Sequence, residues 1–317
     1  MNLNPLRNEI STGPLIGCKW LGHWTPYAEA IAENYENWWP WFSTLTVNLG
    51  APPDFFTQFT EMQKDDVLIF GAHAVLNDFP FYFLQITHEQ TGIPWVAPNI
   101  VPFAPVTAYA GTNVAGPAKF PEAFFYPKNT RLRLDWSSID PSAPNLDPCT
   151  FTFIGVQLTG PKGGRAPEEV TMPDGSITRV GSRIPLFLTI GAGQRSVGTQ
   201  IFTFGNNSQA VQYMPGLDCD VEIHDASLNF FFGYQSFITN LRLKYVAMGI
   251  ESGWTPSFSP FMSFYGRPGA DYPNLPFCKP WTLPAAHRQQ INMINPNDAA
   301  PLNNGLLTLR GVRKCFY

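Results

Sequence analysis

Any catalytic centre in this chain would have to be built from its histidines and carboxylates, so their spacing is read first. The histidines stand at His23, His73, His88, His224 and His287, never at the short intervals that present two imidazoles to one metal ion. His224 and Asp225 are adjacent and could share a proton, but no third group in the sequence orients them. Glycoside hydrolysis needs two acids facing each other across a cleft. Asp135 with Asp140, or Glu61 with Asp65 and Asp66, are the candidates, and their surroundings predict turns or solvent-facing positions. The segment from Gly191 to Gly198, GAGQRSVG, comes nearest to a phosphate-binding loop, yet it has no lysine and no helix pattern after it. Its glycines predict a hairpin or bulge.

The sequence contains no GxSxG, HExxH, P-loop, EF-hand or CxxC motif. Cys18, Cys149, Cys219, Cys278 and Cys315 are odd in number and far apart, which signals neither a disulfide framework nor a zinc site. The expectation is therefore no catalytic residue, no cofactor-binding residue and no metal ligand. Aromatic groups such as Phe79, Phe81 and Phe83, or Phe230, Phe231 and Phe232, could stack on sugar rings. At strand spacing they are core residues first, so sugar contact is the less favoured reading.

The elements that would carry these residues are strands. From Phe124 to Gly160, the residues Arg131 to Trp136 alternate polar and apolar, a Pro/Ser/Asn/Asp cluster follows, and Phe151, Phe153, Val156 and Leu158 resume before Gly160. This reads as a strand pair. A similar stretch closes the chain: Gln290 to Met293 alternate, an Asn/Pro/Asp cluster follows, then come Leu307, Leu309 and Gly311. Upstream, Asp66-Val-Leu-Ile matches Asp220-Val-Glu-Ile, with Val67 and Ile69 equivalent to Val221 and Ile223. Thr57-Gln matches Thr199-Gln, Leu45-Thr matches Leu188-Thr, and Trp95 matches Trp254. The offset of roughly 140 to 160 residues is the size of a domain, and an internal duplication is expected.

With 317 residues the chain has room for two domains. Hydrophobic residues at 44% supply cores, whereas charged residues at 14% fall well below the usual share of about 25%. A net charge of −4 without any Lys/Arg cluster leaves little to neutralise phosphates, so no direct nucleic-acid contact is expected. The first residues lack the charged-then-apolar order of a secretion signal, and no run reaches the length of a membrane span. Synthesis in a cytoplasm with reduced thiols is the expectation, and the Asn206 sequon then carries no glycan.

Five of the nine tryptophans, Trp20, Trp24, Trp38, Trp39 and Trp41, precede residue 44, around a predicted helix over Tyr27 to Asn37 that Pro40 would stop. Trp38, Trp39 and Trp41 would either cover one end of the first sandwich or, with Trp20 and Trp24, anchor an interface with a neighbouring subunit. The expected organisation is an aromatic N-terminal arm over 1–43 containing this short helix, a β-sandwich over 44–160, a linker and hairpin over 161–183, and a second β-sandwich over 184–317. The fold class is all-β, two tandem jelly-roll-like sandwiches. Prolines such as Pro80, Pro94, Pro98, Pro102 and Pro105 are expected at edges, strand starts or loops.

The order strand, Pro/Asn-rich turn, strand, ending Leu-Thr-Gly160 or Leu-Arg-Gly311, resembles the closing segments of jelly-roll structural proteins of bacteriophage particles. The resemblance covers about residues 44–311 and transfers no individual residue role. It implies a homo-oligomeric virion protein, either a double-jelly-roll capsid protein or an accessory protein of the head or tail. Its partners would be itself and other virion proteins, and it would have no catalytic activity. A carbohydrate-binding or carbohydrate-cleaving sandwich is the alternative.

Overall fold

The computed structural model of the chain describes residues 24–47, 56–75, 82–97, 101–102, 118–138, 149–192, 203–204, 209–214, 219–230, 240–247, 250–253, 259–260, 275–285, 288–294, 302–303 and 305–314. These residues divide between two compact units, the first taking 1–95, 100–186 and 312–317, the second 96–99 and 187–311.

The first unit starts with the helix α1 (Pro26–Ala32). Thr25 caps it by accepting the Ala28 N–H at 3.3 Å, and Pro26 occupies the first turn, where a missing N–H costs nothing. Strands β1 (Tyr35–Val47), β2 (Phe56–Phe59), β3 (Asp66–Val75) and β4 (Tyr82–His88) follow. After the two-residue strand β5 (Val96–Ala97) come β6 (Val101–Pro102), β7 (Ala118–Tyr126), β8 (Leu132–Ser138) and β9 (Cys149–Pro161). One sheet has the order β1-β9-β3-β7 and the other β2-β8-β4-β6.

With β5 set aside, these are eight strands paired first with eighth, second with seventh, third with sixth and fourth with fifth. That is the jelly roll, a chain folded in half and wrapped into two sheets. Phe151 and Phe153 of β9, Val67 and Ile69 of β3 and Leu132 and Leu134 of β8 are all buried. Trp95 is fully buried and meets Phe124, Phe120 and Phe153 edge-on at centroid distances of 4.9, 5.5 and 6.0 Å. Each such pair contributes about 0.5–1.5 kcal/mol beyond its buried area.

The alternate residues of β3 and β9 face the other way. Leu68, Phe70, Ile154, Val156 and Leu158 join Trp38 in a second apolar layer, which α1 covers with Tyr27, Ala28 and Ile31. Strands β10 (Glu169–Thr171) and β11 (Ile177–Arg179) form a hairpin that adds Val170 to this layer. The segment expected as a linker is thus partly core. Gly181 N–H donates to the Tyr27 hydroxyl at 2.8 Å, and Lys162 reaches the Asn34 and Glu33 carbonyls.

The second unit is built from β12 (Arg183–Ala192), β13 (Thr203–Phe204), β14 (Gln209–Met214), β15 (Asp220–Phe230), β16 (Asn240–Ala247), β17 (Ile250–Gly253) and β18 (Ser259–Pro260). β19 (Leu275–Leu283), β20 (Arg288–Ile294), β21 (Leu302–Asn303) and β22 (Gly305–Lys314) follow; residues 183–186 of β12 and 312–314 of β22 count with the first unit. Its sheets run β19-β15-β22-β12-β5 and β14-β20-β16-β17, with β13 pairing β21 and β18 pairing β16. The same roll is present: β12 beside β22, β14 beside β20, β15 beside β19 and β16 beside β17.

Three sequence expectations change. Residues 1–43 are not an arm outside the sandwich, because Tyr35 to Val47 pairs along its whole length with β9, from Tyr35 opposite Pro161 to Val47 opposite Cys149. The first sandwich therefore begins before residue 44. The helix ends at Ala32 rather than running to Asn37, and Pro40 lies inside an edge strand, where its missing N–H breaks no internal ladder. Finally, β8 and β9 are not a pair. They belong to opposite sheets, since Leu132 and Leu134 on one and Phe151 and Phe153 on the other must all face the core. Of the prolines expected at edges, strand starts or loops, Pro102 lies in the sheet-edge strand β6 and Pro94 lies outside the strands, bridging to Thr87, while Pro80, Pro98 and Pro105 lie outside the described residues.

Candidate functional site

The tryptophans proposed as an interface separate by strand parity. Trp38 points into the layer under α1 and is 5% exposed, meeting Trp24 edge-on at 4.8 Å. Trp24 also contacts Phe70 at 5.0 Å. These two rings are core. Trp41 faces the sandwich interior, 6.3 Å from Tyr126. Trp39, on the same strand, is 50% exposed, and Phe42 is 58% exposed. Trp20 lies outside the described residues. Of the described tryptophans before residue 44, Trp39 is thus the one that keeps half its surface exposed, while Phe42 was not singled out by the sequence. Its signal was available: no Asp, Glu, Lys or Arg occurs from Asn37 to Pro53.

The carboxylate candidates are tied into structure. Asp66 is buried, accepting the Tyr35 hydroxyl at 2.7 Å and the Lys128 N–H at 2.8 Å, so it is no solvent-facing acid. Burial, followed by the neighbouring Asp66 carboxylate, pushes the Tyr35 phenol well above its usual value. Asp65 accepts the Gln157 amide at 2.5 Å. Asp135 accepts Thr57 Oγ1 at 2.6 Å and Arg133 Nε at 2.9 Å, and Glu61 is exposed. Asp140 lies outside the described residues. No pair faces another across a cleft within what is described.

Two further buried polar groups went unnoticed in the sequence. Glu122 accepts the Thr25 hydroxyl and lies 3.1 Å from the Arg183 guanidinium, holding the N-cap of α1 against β7. In the second unit Arg310 grips both oxygens of Asp225, at 2.6 and 2.7 Å, with both residues buried. Asp225 is therefore bound to arginine and not poised with His224, whose Nε2 lies 3.8 Å from Glu222. Alternation along a strand does not reveal which far strand supplies such a partner.

His88 is buried, its Nδ1 3.1 Å from Thr91 Oγ1, and burial holds its imidazole below the ordinary value. The Tyr126 phenol, pushed up to about 12 by burial, donates to the Thr130 carbonyl at 3.1 Å and lies 2.7 Å from Thr60 Oγ1. These groups hold loops together. Among the described residues no group of three or more His, Cys, Asp or Glu could hold a metal ion, and no helix is long and apolar enough to cross a membrane. His23 and His287, Gly193 to Gly198, Phe79, Phe81, Phe231, Phe232, Thr199 and Trp254 lie outside the described residues.

No family model matches the chain, and no curated protein matches it. Among solved structures it is similar to a chain of Sulfolobus turreted icosahedral virus, at 11% identity and a TM-score of 0.23. It is also similar, at 10% identity and the same TM-score, to a chain from an archaeal virus described by its triple jelly roll fold and turret assembly. Each alignment covers 84% of this chain and 59% of the viral one, so the chain spans less than two thirds of their length. The CUB1-EGF-CUB2 domains of rat MASP-1 align at 8% identity and a TM-score of 0.21, covering 84% of this chain and 97% of that one. The jelly-roll assignment rests on strand order and not on these likenesses.

Proposed function

We propose that this chain is a structural protein of a virus particle, built from a duplicated jelly roll, that self-associates and contacts other virion proteins without catalysing a reaction. A bacteriophage capsid protein, or an accessory protein of the head or tail, is the specific reading, made in the host cytoplasm and located in the virion. The observation that carries it is the repetition of one roll in both units, down to its irregularities. In each, the third strand shifts register after an isoleucine, Ile69 or Ile223, and the last strand places a glycine, Gly155 or Gly311, against the carbonyl just before it.

Jelly rolls also serve lectins and cupins, so the fold alone does not name the function. What favours a particle component is the surface: 14% charged residues overall and exposed aromatic groups on an edge strand that carries no charge from Asn37 onward suit burial against protein. Sedimentation of the purified chain, and electron microscopy of particles with an antibody against it, test the proposal. Assembly of several copies and labelling of particles are expected. A strictly monomeric chain that is missing from particles would reject the reading, and selective binding on a glycan array would favour the carbohydrate alternative.

A further inference from the structure

Among the described residues, the layer beneath α1 covers one end of the outer face of the β1-β9-β3-β7 sheet and leaves residues at the other end exposed. On β9 the layer beneath α1 takes in Ile154, Val156 and Leu158, and on β1 it takes in Trp38. Further along the same two strands and on the same side lie Phe42, Thr44 and Thr46 of β1, exposed, and Thr150 and Thr152 of β9, partly exposed. Thr44 stands opposite Thr152 with hydroxyls 3.1 Å apart, Thr46 opposite Thr150, and Phe42 opposite the buried Ile154. The result is a flat patch of β-branched residues bordered by one large ring.

We propose that this exposed end packs against the same patch of a second copy of the chain, related by a two-fold axis. The proposal rests on the self-association reading above and names its contact. Three observations select the occupant. First, neither β1 from Asn37 onward nor any part of β9 carries an acid or a base. In the row through Phe42, Ile154 and Gly71, the first charged residue is Lys119 on β7, three strands away, while the row through Thr44 and Thr152 reaches His73. Nucleic acid or an anionic lipid surface would need cations here.

Second, the Thr44 and Thr152 hydroxyls are within hydrogen-bonding distance of each other, so one of their two donors is already satisfied when the patch is covered. Third, a surface without charge meets its own copy without repulsion, which is the requirement of a two-fold contact in which one patch serves both sides. Pro40 lies beside the patch on the free edge of β1 and cannot donate to an added strand. The contact is therefore face to face and does not continue the sheet.

Charge reversal at Thr44 tests this. Sedimentation and native mass spectrometry are run on the full chain, on Thr44→Glu, on Thr44→Lys and on an equimolar mixture of the two. Each variant alone should associate about a hundredfold more weakly or worse, because like charges meet across the axis. The mixture should recover association, and each variant should melt as the unmodified chain does, since Thr44 is exposed. Variants that associate normally would overturn the patch while leaving self-association intact. Weakened variants that the mixture does not rescue would overturn the two-fold arrangement. An unmodified chain that stays monomeric up to its solubility limit would overturn the self-association reading and this contact with it.

Discussion

Gly155 lies so close to β3 that a Cβ atom on it would sit 2.0 Å from the carbonyl oxygen of Leu68. Gly311 repeats the relationship, with 2.1 Å to the carbonyl oxygen of Glu222. Both contacts precede a register shift in the third strand of their roll, so the last strand crosses a bulged neighbour that leaves no room for a side chain. Gly155→Ala and Gly311→Ala should each cost about 3 kcal/mol, because backbone and not a movable side chain must yield. Chemical denaturation measures this, and a loss below about 1 kcal/mol at both positions would show that the strands separate easily.

The ion pair of the second unit has an apolar counterpart in the first. Counting from the paired glycines and the register shifts, Ile154 and Gly71 occupy the places of Arg310 and Asp225. Asp225→Gly alone leaves a buried guanidinium without its carboxylate and should cost about 3–5 kcal/mol. Combining it with Arg310→Ile, which installs the residues of the first unit, should recover most of that loss. A double variant as unstable as the single one would mean that the pair supplies net stability of its own.

Trp38 and Trp39 are neighbours with opposite duties. Trp38→Ala removes a buried ring from the layer under α1 and should cost about 3–5 kcal/mol. Trp39→Ala removes a ring that is half buried and should cost less, about 1–2 kcal/mol, with the larger effect on assembly. Thermal melts beside sedimentation of the two variants separate the roles; equal destabilisation by both would assign Trp39 to the core.

His88 gives the fold a pH dependence of known sign. Its folded value lies below the ordinary 6.5, so as pH falls the unfolded chain binds the proton first. Stability from this group is complete above about pH 6.5, declines below it, and levels off once the folded value is passed. Urea unfolding between about pH 7.5 and pH 5 should show this decline, and His88→Asn, which can still face Thr91, should flatten it. An unchanged slope in the variant would place the pH dependence elsewhere.

Much of this architecture is local and therefore readable from residue order. Alternation marks β8, β9 and β20, and the matching of Val67 and Ile69 with Val221 and Ile223 places them on the third strand of each roll. The two glycines that close the similar segments, Gly160 and Gly311, are not structural equivalents. Gly311 corresponds to Gly155, packed on a backbone, and not to Gly160, which turns the chain at φ +66° beside Glu36. A glycine's role depends on which atoms approach it, and sequence spacing carries no trace of a neighbour 87 or 89 residues away, as Leu68 is from Gly155 and Glu222 from Gly311.

The tryptophans before residue 44 show the same limit. Their number signals burial, but Trp38 and Trp39 differ only in which side of β1 they take, and that side acquires meaning once β9 arrives from the far end of the unit with α1 on one face. The pairing of first with last strand, the partners of Asp66 and Asp225, and the uncovered threonines are all long-range in this sense. Periodicity, proline placement and composition express what each residue prefers locally, whereas these contacts depend on which distant strand lies alongside.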